Sequence, residues 1–378
     1  MTTETLAKPN QAQVAAGRII DCDVHNWSEP GDLAPFLSQR WSSYLKRFGM
    51  RTMSEGVLVR VREYGARADS RGPDGRPPGN DPDFVREQLL EAYKIDAAIL
   101  NPLAGNVQQF IGGNQPREFS CELMSAVNRW NLESWIVPDT RWYGSVCIPF
   151  EYAEESALEI DRCKSESDRF LQALVSMRTA DPLGNPKYWP LYEALEHHGM
   201  PMALHPGGSG MRSITACGWP SFYLEDHVGY PQALMNHMTS LVCEGVFERF
   251  PNLKVVFVEG GWSWVPAFSR RFDSMWELLG EEVPQLSRKP SEYIRKHFHF
   301  TTQPMEEPER PELFMPVLEQ FGRFGLLDHL MFSSDYYHWD FDHPEEALPK
   351  SIPPEILPDI MYGNAQKLYG IELPEVVV

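Results

Sequence analysis

The amino-acid sequence predicts an α/β protein folded as a (β/α)8 TIM barrel. Three observations lead there. Short β-rich runs alternate with longer helical stretches, the signature of βα units around a parallel sheet. Eight such units within 378 residues point to a closed barrel, although the count alone is also compatible with a doubly wound open sheet. With 42% hydrophobic and 23% charged residues, the chain suits one large domain that needs no staple to fold.

Residues 1–17 form a polar tail, and residues 18–378 form the single barrel domain. Strands are expected at residues 19–25, 97–102, 142–148, 170–177, 202–205, 254–259, 298–301 and 330–334. Helices are expected between them, among others at 119–136, 186–198, 231–250 and after Trp264. The stretch 50–84, rich in Gly, Pro, Arg and Asp, breaks this rhythm. It reads either as a disordered loop or as a cover, and its place after the first strand leads to the expectation that it lies over the C-terminal mouth. The Pro-rich stretch 343–358 is irregular, and a last helix near 360–369 is expected to pack back on the barrel. There are no internal repeats.

The chain has 34 Lys and Arg against 53 Asp and Glu, a net charge of −19. Nucleic acid and anionic lipid surfaces are therefore poor partners. No apolar run approaches the roughly 18–20 residues that span a bilayer, and the N-terminus does not read as a signal peptide. The six cysteines are scattered without CxxC spacing, which suits reduced thiols and a cytoplasmic location.

Chemistry concentrates at strand ends, which in a barrel share one rim. The first strand ends Ile20-Asp21-Cys22-Asp23-Val24-His25, and alternation puts Asp23 and His25 on one face, with Asp21 deeper. His205-Pro206-Gly207-Gly208 closes the fifth strand, Glu259-Gly260-Gly261-Trp262 the sixth, and Ser333-Ser334-Asp335 the eighth. One such residue alone is commonly a helix cap or a hydrogen-bonded structural group. Two imidazoles and three carboxylates converging on one rim require a cation, or their burial is prohibitive. The predicted metal set is Asp23, His25, His205, Glu259 and Asp335, with His237 and His338 as further ligands. His227 is open to either reading, whereas the pairs His197-His198 and His297/His299 read as structural. Arg212, Trp262 and Tyr336 are candidate substrate contacts, with a solvated loop arginine and core aromatics as the alternatives. The Gly-Gly pairs lack phosphate-loop spacing.

The run Asp23-x-His25, HPGG at His205, LKVVFVEGG around Glu259 and MFSSDYYHWD around Asp335 resemble the amidohydrolase-related branch of the amidohydrolase superfamily. That branch includes aminocarboxymuconate semialdehyde decarboxylase, and the resemblance runs from Ile19 to NAQKLYG near the end. It implies a (β/α)8 barrel with a divalent metal, held by an HxH pair, a fifth-strand His and an eighth-strand Asp. Those positions match Asp23, His25, His205 and Asp335. Two departures stand out. Asp23 replaces the first His of the pair, and Glu259 replaces the sixth-strand His that the decarboxylases use in catalysis. Carboxylate for imidazole makes the site harder, favouring Fe or Mn while still accommodating Zn. The surplus of ligands resembles the dinuclear, oxygen-activating hydroxylases of the same superfamily.

The first expectation is therefore an O2-dependent dinuclear Fe/Mn hydroxylase (a monooxygenase) acting on a small carboxylate-bearing substrate, with Glu259, Asp335 and His338 as catalytic residues. The alternative is a hydrolase or decarboxylase with one Zn or Mn, in which Glu259 serves as general base. A third reading is a partner subunit with a structural metal. One or two divalent metals per chain are expected, in a homo-oligomer or a hetero-oligomer with a chain of the same fold.

Overall fold

A computed structural model describes residues 18–48, 65–103, 116–207 and 213–373. Eight parallel strands pair in sequential order: β1 (Ile20–Val24), β2 (Ala97–Leu100), β3 (Trp142–Cys147), β4 (Phe170–Ser176), β5 (Met202–His205), β6 (Val255–Phe257), β7 (Phe298–Thr301) and β8 (Leu330–Met331). The chain beyond β8 returns to β1. Cys22 N bonds Phe332 O at 3.0 Å, His25 N bonds Tyr336 O at 2.6 Å, and Asp335 N bonds Asp23 O at 3.0 Å. These bonds close the (β/α)8 barrel.

The expected strands at 202–205 and 298–301 coincide with β5 and β7, while β8 is shorter than expected. Side chains interrupt the ladder there: Ser333 N donates to Thr302 Oγ1 (3.1 Å) and Gln303 N to Ser333 Oγ (3.0 Å). Most strands are near-continuous apolar runs because both faces are covered. Ile20, Cys22, Ala97, Ile99, Leu174, Ala203, Val256 and Met331 pack together inside the barrel. Their alternate neighbours, such as Ala98, Leu100, Val175, Leu204 and Phe257, face the helices in the larger cluster.

β1 departs from strict alternation. Its register against β2 shifts between Asp21 and Val24, so Ile20 and Cys22 lie in the interior cluster while Val24 faces outward. The expectation that Asp21 shares the face of Asp23 is corrected by this bulge. Asp21 instead accepts bonds from Asp23 N (3.2 Å) and Ser334 N (2.9 Å), pinning β1 to the segment after β8.

The helix expected at 119–136 is Arg117–Asn131 continued by the π-helical turn Leu132–Ile136. The stretch 231–250 divides into Tyr230–Cys243 and Val246–Arg249, because Gly245 turns the chain with φ 71°, a conformation open to glycine. The last helix, Asn364–Tyr369, sends Ala365 and Tyr369 against the interior cluster. It stoppers the N-terminal end of the barrel.

Of the segment 50–84, residues 50–64 lie outside the described residues. The remainder runs along the loop after β8: Ala66 pairs with His338, Arg67 N bonds Tyr337 O (3.0 Å) and Trp339 N bonds Gly65 O (2.8 Å). It is thus at the C-terminal end of the strands. All six cysteines are free. Among the described residues, no helix is long and apolar enough to cross a membrane.

Candidate metal centre

Asp23 lies in β1 and His25 directly follows it, His205 ends β5, and Asp335 follows β8. The barrel brings their donor atoms within 4.8 Å of one another, and all four residues are buried. Hydrogen bonds behind the imidazoles decide which nitrogen faces inward. His25 Nδ1 donates to Asn101 O (2.8 Å) and His205 Nδ1 to Pro206 O (2.5 Å). Each ring therefore presents Nε2 to the common point.

Around that point His25 Nε2 lies 2.8 Å from Asp335 Oδ1 and 3.5 Å from Asp23 Oδ1. His205 Nε2 lies 3.5 Å from Asp23 Oδ2. Three of the inward atoms, Asp23 Oδ2, His205 Nε2 and Asp335 Oδ2, are buried without a hydrogen-bond partner. Leaving one buried polar atom unpaired costs about 1–3 kcal/mol, so three aimed at one place mark a place for a cation. The donor set of two imidazoles and two carboxylates fits a divalent metal of intermediate hardness.

The electrostatics agree. Burial disfavours the charged imidazole of His25, yet Asp23 and Asp335 outweigh it and lift its pKa to about 9. Burial likewise opposes ionisation of Asp335, but His338 and His25 prevail and hold its carboxyl far below the usual range. The site stabilises positive charge, whether a proton or a metal.

Glu259 sits at the edge of this cluster and faces two ways. Its Oε2 is 3.4 Å from His205 Nε2, and its Oε1 is 3.7 Å from His227 Nε2. His227 Nε2 in turn lies 3.1 Å from Asp340 Oδ2, so His227, Glu259 and Asp340 form a second group with ligand-like spacing. The short helix Tyr223–Val228 that carries His227 is anchored by its neighbour Asp226, whose two carboxylate oxygens both accept from the buried Arg178 Nη2 (2.8 and 2.7 Å). Glu259 and Asp335 both have left-handed backbones, with φ 56° and 57°. For a residue with a side chain this costs on the order of 1–3 kcal/mol, a strain that collects at functional sites.

Comparison with known proteins gives this arrangement a family. The amidohydrolase family model matches residues 20–371. The chain belongs to the amidohydrolase family. It is 25% identical to gamma-resorcylate decarboxylase of Polaromonas sp. (strain JS666 / ATCC BAA-500) over 296 residues, 76% of this chain and 86% of that one. Among solved structures, an amidohydrolase from Mycobacterium avium subsp. paratuberculosis K-10 aligns over 94% of this chain and 99% of its own, with TM-score 0.70 and 21% identity. A dihydroxybenzoic acid decarboxylase from Polaromonas sp. JS666, with bound manganese and the inhibitor 2-nitroresorcinol, aligns over 94% and 97% with TM-score 0.64 and 21% identity.

In this amidohydrolase the other predicted residues divide. His338 reaches the centre, with Nδ1 2.6 Å from Asp335 Oδ1, in a group with Glu259 and Asp335. His237 does not. Its Nε2 donates to Met177 O (2.8 Å) and its Nδ1 accepts from Leu183 N (3.3 Å). Both nitrogens are used, and burial lowers its pKa to about 4. The ligand expectation for His237 is corrected: it is a structural residue that ties its helix to the loop after β4.

Two substrate expectations are corrected as well. Trp262 is fully buried with its ring against Phe314 and Phe321. Its loop is held by Glu306, whose carboxylate takes Trp262 N (2.9 Å) and Ser263 N (2.5 Å). Tyr336 is fully buried, beside Phe341, and donates its hydroxyl to Gln88 Oε1 (2.5 Å). Both are core aromatics. Arg212 lies outside the described residues. The selected set missed Asp340 and left out His227. Asp340 stands two positions past His338 in the same HWD run, the one local signal that could have found it.

Proposed function

We propose that this amidohydrolase is a divalent-metal lyase that releases CO2 from a small carboxylic acid, with Asp23, His25, His205 and Asp335 as its metal ligands. The observation that carries the reading is the convergence of three buried atoms without a hydrogen bond and His25 Nε2. Its direction comes from the relatives, which are named for decarboxylation of gamma-resorcylate and dihydroxybenzoic acid, in one case with manganese bound. A hydroxylated aromatic acid is the corresponding substrate class, and manganese the corresponding metal.

A bound divalent ion would polarise a substrate oxygen. The remaining work falls to side chains. Glu259, nearly buried and beside His205, is the group to carry a proton at the reacting carbon. Loss of CO2 leaves an electron pair on that carbon, and the proton from Glu259 completes the C–H bond. In the hydrolytic direction the same carboxylate would act as base. His338 holds Asp335 in place through its Nδ1.

One observation favours a second reading, the dinuclear hydroxylase. Glu259 presents one oxygen to His205 and the other toward His227 and Asp340, as a carboxylate shared by two cations would. Metal analysis of protein purified without added metal separates the two. About one Mn or Zn per chain, with CO2 release from 2,6-dihydroxybenzoate and no O2 uptake, supports the lyase. About two Fe or Mn per chain with O2 consumption would sink it in favour of the hydroxylase.

A further inference from the structure

We propose that Asn101 is a positioning residue that orients Asp23 and His25 for metal ligation, and that a hydrogen-bond chain through the barrel interior holds Asn101 in the orientation this needs. The proposal rests on the metal-site reading above.

Asn101 follows β2 on the inward-facing parity of Ala97 and Ile99 and is fully buried. It touches both β1 ligands. Its Nδ2 donates to Asp23 Oδ1 (2.7 Å), and its backbone carbonyl accepts from His25 Nδ1 (2.8 Å). Its own amide N is tied to Val24 O (2.8 Å). The bond to Oδ1 turns the Asp23 carboxylate so that Oδ2, which has no hydrogen-bond partner, faces His205. With Nδ1 of His25 occupied, Nε2 is the nitrogen left. One residue thus orients two ligands.

What selects the orientation of Asn101 lies deeper in the barrel. Tyr369 of the last helix donates its hydroxyl to Gln172 Oε1 (2.7 Å). That bond turns the Gln172 amide so that Nε2 donates to Ser145 Oγ (3.0 Å) and Asn101 Oδ1 (3.2 Å). Ser145 Oγ then donates to Asn101 Oδ1 as well (2.5 Å). An amide oxygen that already accepts two bonds cannot face the Asp23 carboxylate, since a flip would set acceptor against acceptor and orphan two donors. Every bond therefore runs one way, from Tyr369 to Asp23, through side chains of β4, β3 and the end of β2. A buried polar chain that ends on a metal ligand orients that ligand, and such partners commonly govern metal affinity.

The test is Mn(II) affinity, read by competition against a chelator, beside the thermal midpoint of the metal-free protein. Asn101→Leu keeps the side-chain size and removes the donor. It should weaken Mn(II) binding by about 10–100-fold. Asn128 is the control, an equally buried amide whose Oδ1 and Nδ2 bond Cys147 N and O at 2.8 Å each. Asn128→Leu should lower the midpoint and leave Mn(II) affinity at the wild-type value. Tyr369→Phe, at the far end, should weaken binding less than Asn101→Leu does. Wild-type affinity in Asn101→Leu, or equal losses in the Asn101 and Asn128 variants, overturns the proposal. If Asn101→Leu does not fold, Ser145→Ala and Tyr369→Phe decide, and unchanged affinity in both overturns it. Failure of the wild type to bind Mn(II) would instead remove the metal-site reading on which this one stands.

Discussion

At the N-terminal end of the barrel a cavity of about 740 Å3 is lined by Lys94, Asp96, Arg141, Tyr143, Arg169 and Glu372, among others. Its charges are balanced in place: Arg141 forks onto Asp139 and reaches Glu91 at 2.8 Å, and Arg169 donates to Asp139 O at 3.1 Å. At the C-terminal end, among the described residues, Asp23, Asp335 and Glu259 lie against the imidazoles of His25, His205, His227 and His338. The same scaffold thus ends in a neutralised floor and an electron-rich mouth. In barrels of this kind the mouth carries chemistry and the floor carries stability, and here the difference can be stated in charge: one end is complete by itself, the other is completed by a cation.

Substitutions at the two ends should differ accordingly. Asp335→Ala removes a carboxylate that contacts both His25 and His338. It should abolish most metal binding and lower turnover by about 10³-fold or more, because a lost metal forfeits several kcal/mol of transition-state stabilisation. Metal content by mass spectrometry checks it, and a fully loaded variant would exclude Asp335 as a ligand. Glu259→Gln should reduce turnover by about 10²–10⁴-fold with one metal retained per chain. Loss of a second metal in that variant would move the assignment to the dinuclear hydroxylase.

A smaller effect separates the histidines of the two environments. The pKa of His237 is depressed to about 4 by burial, against an unfolded value near 6.5. As pH falls through 6.5 the unfolded chain takes up a proton that the folded chain refuses until about pH 4. Stability therefore declines across that window, by about 3 kcal/mol in all. His237→Gln should flatten this part of the pH–stability curve, measured by denaturant unfolding, and an unchanged slope would show that other groups govern it. The smallest effect belongs to the floor. Arg141→Ala should cost about 1 kcal/mol or less, as partly exposed ion pairs do, and leave metal content untouched. A loss of metal there would break the contrast between the two ends.

The residues that could be read in advance are those whose position is local. Strand ends carry their chemistry in sequence order, so Asp23, His25, His205, Glu259 and Asp335 were legible once the alternation of strand and helix had been seen. The bulge in β1 was not, because it depends on how Asp21 bonds across to Ser334, a contact 313 positions away. His237 was misread for the same reason: on a helix, one imidazole can face the mouth or a neighbouring loop, and only the packing of Met177 and Leu183 decides. Trp262 stands beside Glu259 in sequence, yet the left-handed turns at Glu259 and Gly261 swing it away into the core. Asn101, Ser145 and Gln172 look like ordinary strand residues, and their connection emerges only when three strands are curled into one barrel.

The left-handed backbones of Glu259 and Asp335 carry a consequence for anyone who would evolve this protein toward heat resistance. Glycine adopts such a conformation at little cost, but Asp335 is also held by short bonds to His25 and His338 that a glycine there would forfeit. A selection that rewards survival at high temperature alone would therefore return Glu259→Gly, and not Asp335→Gly, among its winners: a hardier barrel that no longer turns over. A useful screen must demand activity and endurance from the same clone.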